Sequence, residues 1–211
     1  MIERLSSLLK EEPPGYKAQS LLSLGDRVPP DADEFDRLNA RKAGVMVLLF
    51  LESGSWHTVL INRPSYPGTH SDQMAFPGGK HEEGDVDLLQ TALRETHEEI
   101  ELPPDRIEHV GPLSPLYIPP SNFMVHPYVG MLEGERRWIP EVAEVAEIIE
   151  MPLEIIVGTQ HVKSHPVRTR YGKMMVPAYE FNGHIIWGAT GMMLAEPAAA
   201  VGQAGFGNAN I

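Results

Sequence analysis

The run Ala43-Gly44-Val45-Met46-Val47-Leu48-Leu49-Phe50-Leu51 contains no charged or hydrogen-bonding side chain, and it reads as a buried strand. Residues 58–63 follow as its partner across the turn Glu52-Ser53-Gly54-Ser55. Further strands are expected at 107–110, 124–132 and 144–150, with a helical turn after Pro152. A late hairpin should pair 173–181 with 184–187 around Asn182-Gly183, a strong turn pair. Near the start, Ile2, Leu5, Leu8 and Leu9 form the apolar stripe of a short helix that stops at Pro13-Pro14-Gly15. A second helix is expected from Val86 to Glu101, closed by Pro103-Pro104, and a third from Ala189 to Ala195. Strands alternating with a few helices imply a mixed α/β domain over residues 41–195. Residues 1–40 are then a helical and irregular extension, and the small-residue stretch 196–211 a mobile tail.

Composition narrows the chemistry. There is no cysteine, which excludes disulfides, a thiol nucleophile and a thiolate zinc site. No apolar stretch approaches the ~18 residues of a spanning helix, and Met1-Ile2-Glu3-Arg4-Leu5 lacks the basic-then-apolar pattern of a signal peptide. A cytoplasmic protein without a membrane partner is the expectation. Lys and Arg total 17 against 29 Asp and Glu, a net charge of −12, which argues against nucleic acid as a partner. The same charge would repel a phosphate-bearing substrate unless cations screened it. Phosphate chemistry in this chain should therefore depend on metal.

The informative segment runs from Phe76-Pro77-Gly78-Gly79-Lys80 to Leu93-Arg94-Glu95-Thr96-His97-Glu98-Glu99-Ile100. At about 100° per helical residue, Glu98 lies roughly 60° to one side of Glu95 and Glu99 roughly 40° to the other. Leu88, Leu89, Ala92, Thr96 and Ile100 form the face that should meet a sheet, with the carboxylates along its edge. His97 lies opposite that face, and Arg94 can reach Glu98 at i, i+4. An acidic run ordinarily marks a solvated surface. Here three acids repel one another near a helix C-terminus, where the dipole also disfavours negative charge. A cation among them would remove both penalties, and hard carboxylate oxygens suit Mg²⁺ or Mn²⁺.

The segment resembles the Nudix box, G-x5-E-x7-R-E-U-x-E-E-x-G-U, in which U is a bulky aliphatic residue. Gly79, Arg94, Glu95, Glu98, Glu99 and Leu102 match in order. The stretch from Gly79 to Arg94 is one residue longer than the pattern, with Asp85 where the early glutamate would be. Thr96 takes an aliphatic place, and Glu101 replaces the glycine that follows the paired glutamates. The resemblance implies an α/β/α sandwich with a mixed β-sheet, and hydrolysis of a nucleoside diphosphate linked to another moiety. By matching position it implies Glu95, Glu98 and Glu99 as metal-binding and catalytic carboxylates, with Arg94 orienting a glutamate. It also implies Mg²⁺ or Mn²⁺ as cofactor, a small nucleotide-diphosphate substrate and a homodimer.

Upstream, the chain is similar to the coenzyme A diphosphatase branch, whose signature reads L-L-T-x-R-S-x3-R-x3-G-x3-F-P-G-G. Arg63 and Phe76-Pro77-Gly78-Gly79 fall in register. Pro64 replaces the serine, Gly68 the second arginine and Asp72 the glycine, so one cation is lost and one anion gained. Ile118-Pro119-Pro120-Ser121-Asn122-Phe123, Val125-His126-Pro127 and Trp187-Gly188-Ala189-Thr190 extend the likeness downstream. The implied substrate is coenzyme A or an acyl derivative, contacted by Arg63, His70, Phe76, Gly78, Gly79 and Lys80. ADP-ribose or a dinucleotide is the alternative substrate, and a binding module without chemistry is the alternative of another class. The intact glutamates favour the enzyme. His161 and His165 have zinc spacing but no third ligand, and their surroundings read as a loop. Tyr117, Phe123 and Tyr128 could stack on an adenine, although packing is the simpler reading of each one. One of Glu141, Glu144 and Glu147 could serve as a distant metal ligand or base, though a solvated edge is the simpler reading.

Overall fold

The computed structural model of the chain describes residues 2–25, 38–64, 73–157, 159–169 and 172–204. The apolar run is the centre of strand β1 (Arg41–Glu52). β1 pairs antiparallel with β2 (Ser55–Asn62), setting Leu49 opposite Thr58, and parallel with β7 (Phe123–Leu132), setting Val47 opposite Val129. Two short strands occupy the glycine-rich segment that the sequence marks as loop: β3 (Met74–Ala75) on β2 and β4 (Gly78–Lys80) on the start of β1. β5 (Ile107–Pro112) and β6 (Leu116–Ile118) pair with β7, and β8 (Glu147–Pro152) pairs with β2, completing a mixed sheet of eight strands. A three-stranded antiparallel sheet follows, built from β9 (Lys163–Thr169), β10 (Gly172–Phe181) and β11 (His184–Trp187). β9 covers the segment expected to be a loop around His165.

Two cores explain the unbroken apolar run. Successive side chains of a strand point to opposite faces. Met46, Leu48 and Phe50 enter one core with Ala92 and Ile100 of helix α3 (Leu88–Ile100). Val45, Val47 and Leu49 enter the other, with Leu5 and Leu9 of α1 (Ile2–Glu11) and Met192, Met193 and Leu194 of α4 (Gly188–Gln203). Helices therefore cover both faces of the sheet, as an α/β/α sandwich requires.

The chain ends depart from expectation. α4 continues eight residues past the expected stop at Ala195 to Gln203, with Ala198, Ala200 and Val201 buried. Alanine is the strongest helix former and packs closely, so a stretch that looks like low complexity forms a core helix. The N-terminal segment is equally integral, because α1, α2 (Gly15–Gln19) and Leu22 pack on that same face.

Candidate active site

Helix α3 begins where the Asp87 side chain accepts the Gln90 N–H at 2.8 Å, and it ends at Glu101, which adopts φ 51°. It lies against β1 and β4, so its polar edge faces Gly78 and Gly79. Gly78 has φ +146°, and a Cβ there would lie 2.4 Å from the Gly44 carbonyl oxygen. A Cβ on Gly79 would lie 2.3 Å from the Glu95 carboxyl carbon. The two glycines thus let the β4 backbone come against the carboxylates.

Glu99 is the buried member, its side chain 1% exposed. The Gly78 N–H donates to its Oε2 at 2.8 Å, and Arg63 donates to its Oε1 at 3.0 Å and to the Gly78 carbonyl at 3.1 Å. Burial pushes the Glu99 carboxyl up to about 7; Arg63 and the Gly78 N–H oppose that shift, and the charges of Glu95 and Glu144 add to it. Glu95 is also pushed up, by burial first, with Arg94 opposing and Glu98 and Glu144 reinforcing. Glu98 is exposed.

Arg94 gathers this edge of the helix. It donates to Glu98 Oε2 at 2.8 Å, as the i, i+4 spacing predicts, and pairs with Glu95 Oε1 at 2.9 Å. Its Nε and Nη2 reach the two oxygens of Asp85 at 2.9 and 3.1 Å. Asp85, held also by the Glu82 N–H and the Thr91 hydroxyl, lies well below the usual carboxylate range, chiefly because of the Arg94 hydrogen bond. The residue in the lengthened loop therefore anchors the arginine.

Several residues expected at the substrate have partners within the protein. Arg63 faces Glu99 instead of open space. Phe76 is 1% exposed, packed in the core, and presents no ring surface to a ligand. Lys80 is exposed, and its carbonyl accepts from Arg94 at 3.3 Å. His70, Gly68 and Asp72 lie outside the described residues. Tyr117 donates to Asn122, Phe123 carries Arg41 over its ring, and Tyr128 meets His109 edge-on, so packing accounts for all three. His165 lies 3.7 Å from Glu180, away from any third ligand among the described residues. Glu144 reaches the site from a distant part of the chain. Backbone bonds from Ile139 to Ile100 and from Glu141 to Glu99 pin its loop to the last turn of α3.

Residues 40–171 match the NUDIX domain family. The chain belongs to the Nudix family of hydrolases. It is 31% identical over 168 residues to the uncharacterized Nudix hydrolase NudL of Enterobacter sp. (strain 638), covering 80% of this chain and 86% of that protein. It is 29% identical over 190 residues to Nudix hydrolase 15, mitochondrial, of Arabidopsis thaliana, covering 87% of this chain and 66% of the relative, just under two thirds. In fold it resembles the crystal structure of a MutT/nudix family protein from Enterococcus faecalis, with a TM-score of 0.51, 16% identity, and coverage of 88% and 73% of the two chains. No helix among the described residues is long and apolar enough to cross a membrane.

Among the described residues no three His, Asp or Glu side chains of this Nudix chain converge on one point; Arg63 pairs with Glu99, and Arg94 with Glu95 and Glu98. The donor set nevertheless fits a hard divalent cation. It consists of carboxylate oxygens, two of the carboxyls are pushed towards neutrality by burial and mutual repulsion, and the bare backbone of Gly79 lets the Glu95 carboxyl lie against β4.

Proposed function

We propose that this chain hydrolyses the diphosphate of a nucleoside-diphosphate-linked small molecule with Mg²⁺ or Mn²⁺, and that the molecule is coenzyme A or an acyl derivative. The products are then 3′,5′-ADP and the corresponding 4′-phosphopantetheine. The observation that carries the reaction class is the carboxylate edge of α3, set against Gly78-Gly79 and held by Arg94 and Arg63. Glu95, Glu98 and Glu99 are the residues that would hold the cation, which supplies charge neutralisation on the diphosphate and acidification of bound water. Arg94 fixes Glu95 and Glu98, while Arg63 and the Gly78 N–H fix Glu99. Arg94 engages Oε1 of Glu95, and we assign the other oxygen, Oε2, as acceptor of the proton from the attacking water. Water adds to one phosphorus, the bridging P–O bond breaks, and two phosphate monoesters leave. No covalent intermediate is required. The in-register Arg63 and Phe76-Pro77-Gly78-Gly79 support the coenzyme A assignment.

The test is product analysis on coenzyme A, dephospho-coenzyme A, ADP-ribose and a dinucleotide, with Mg²⁺ or Mn²⁺ and then with chelator. Glu98→Gln should lower turnover by ~10²–10⁴. Full activity in chelator, or in a Glu95→Gln, Glu98→Gln, Glu99→Gln triple variant, would overturn the metal-dependent reading. If coenzyme A is inert while ADP-ribose or a dinucleotide is cleaved, the hydrolase stands and the coenzyme A assignment fails.

A further inference from the structure

The distal half of the β9–β10 hairpin carries features that the hydrolase does not use. β11 pairs with β10 only from Ala178 to Phe181, so residues 172–177 are held in the sheet by β9 alone, as a two-stranded ribbon. Such a ribbon is marginal by itself. Its sequence also differs from the remainder. Between Glu154 and Glu180 this acidic chain has four basic residues and no acidic one.

Register decides what the ribbon presents. Lys173 lies directly opposite Arg168 and Met175 opposite Pro166, so strand alternation puts these four side chains on one face. All four are exposed, Met175 by 57%, and Met174 on the other face is 36% exposed. Two cations directly across a strand pair repel. Neither Lys173 nor Arg168 has an ion pair or side-chain hydrogen bond among the described residues. Two acids paired with this sheet are committed: Glu180 lies 3.7 Å from His165, and Glu147 lies 3.4 Å from His184. Glu180 is also seven residues along β10 from Lys173. That is roughly 23 Å, beyond the ~8–10 Å over which exposed charges act through salt. Lysine and proline on an edge strand guard a sheet against extension. That purpose accounts for Lys163 and Pro166, but not for Lys173 on β10 or for the exposed methionines.

Anions beside Lys173 and Arg168 would remove their repulsion, and apolar cover would remove the exposure of Met175. The patch is a handful of side chains, whereas a specific protein interface takes about 20–30 residues a side. A lipid surface needs no such area. A few cations at anionic headgroups, with a flexible apolar side chain at the acyl boundary, give reversible contact. Methionine on both faces of the ribbon also suits a medium that surrounds it better than a partner that covers one side. We propose that the distal β9–β10 ribbon docks on an anionic phospholipid bilayer, with Lys173 and Arg168 among the headgroups and Met174 and Met175 in the interfacial layer. The expectation of no membrane partner follows from the lack of a spanning stretch, and surface docking needs none.

The experiment sediments the full chain with vesicles of phosphatidylcholine alone and of phosphatidylcholine mixed with phosphatidylserine, in chelator so that no divalent cation bridges protein and lipid. The expected result is binding to the mixed vesicles only, weakening as salt is raised. Lys173→Ala should weaken it about fivefold. Arg168→Glu separates docking from folding. It turns the like-charged pair into an opposite one, so the melting temperature should hold or rise while vesicle binding falls by about tenfold or more. Met175→Ser should weaken binding severalfold and leave its salt dependence unchanged. Lys10→Ala and Arg137→Ala, exposed cations elsewhere that carry the same charge change, should bind as wild type does. Absence of binding to the mixed vesicles, equal binding to phosphatidylcholine alone, or equal binding by wild type and Arg168→Glu overturns the proposal. So does equal loss in Lys10→Ala and Lys173→Ala, or capture of a DNA duplex in place of vesicles. Vesicle binding is read without substrate, and turnover of a soluble substrate without vesicles should be the same in Arg168→Glu as in wild type. Failure of the docking surface therefore leaves the hydrolase reading untouched, and loss of the hydrolase reading leaves the docking surface standing.

Discussion

A carboxylate that is 1% exposed has lost most of its hydration, and two polar partners hold Glu99 there, the Arg63 guanidinium and the Gly78 N–H. Burial outweighs them, so its pKa is raised from an ordinary 4.5 to about 7. The sign of the linkage follows. Between those values the folded chain binds more protons at Glu99 than the unfolded chain, so stability falls as pH rises through the window. Below the unfolded value both states are protonated; above the folded value the loss is complete. In metal-free protein, Glu99→Gln should match wild type near pH 4 and exceed it by roughly 3 kcal/mol near pH 8. Urea unfolding across pH measures the difference, and a pH-independent gap would contradict the burial argument. Arg63 enters through the same residue. If it positions Glu99, Arg63→Ala should lower kcat by about tenfold or more with little change in KM, and Arg63→Lys should recover part of the loss. A rise in KM with kcat retained would instead place Arg63 on the substrate.

Helix α3 shows how one element sets several side chains at once. Its start is capped by Asp87, its middle holds Arg94 against Asp85, and its last turn carries Glu98 and Glu99. Its end is strained: Glu101 adopts a left-handed conformation, φ 51° and ψ 33°, that glycine takes freely. Glu101 also adds negative charge at the negative pole of the helix dipole. Glu101→Gly should therefore raise unfolding free energy by up to about 1 kcal/mol, with turnover unchanged. A thermal melt checks this, and a lower midpoint would show that the Glu101 side chain does something the backbone does not. The spacing of the carboxylates and their helix were legible because helical geometry is local. So was β1, since a short unbroken apolar run bounded by a turn suits a strand covered on both faces. β3 and β4 were not, because glycine and proline carry little strand propensity and β4 exists only by pairing with β1. Glu144 could be named only as one of three candidates for a related reason: the loop after Trp138 reaches the site through backbone bonds that no periodicity encodes. Arg63 was found, but its pairing with Glu99 was not, since its position in a motif says nothing about which anion of the protein it meets.

At the scale of the whole molecule, both ends of the chain close one face of the sandwich, and Glu196 ties them together. It is fully buried on α4 and has no cationic partner among its hydrogen-bond donors. It accepts from the Gly15 N–H at 3.1 Å, Gln19 Nε2 at 2.8 Å, the Ser114 N–H at 3.1 Å and the Ser114 hydroxyl at 2.8 Å. One carboxylate thus joins α4 to α2 and to the β5–β6 connection. The sequence hides this, because Glu196 opens a run of alanines and glycines with no helical stripe of large side chains. A glutamate in a mobile tail could be replaced at no cost. A buried acceptor of four hydrogen bonds cannot, because removing it leaves donors facing apolar surroundings. Glu196→Ala should lower unfolding free energy by about 3 kcal/mol or more. Glu196→Gln should cost less, since its carbonyl still accepts while its amide opposes one set of donors. The damage should appear first at the N-terminus, as faster proteolysis around Pro13-Pro14 in Glu196→Ala than in wild type. Wild-type stability together with unchanged proteolysis would show that α1 and α2 are held by apolar packing alone.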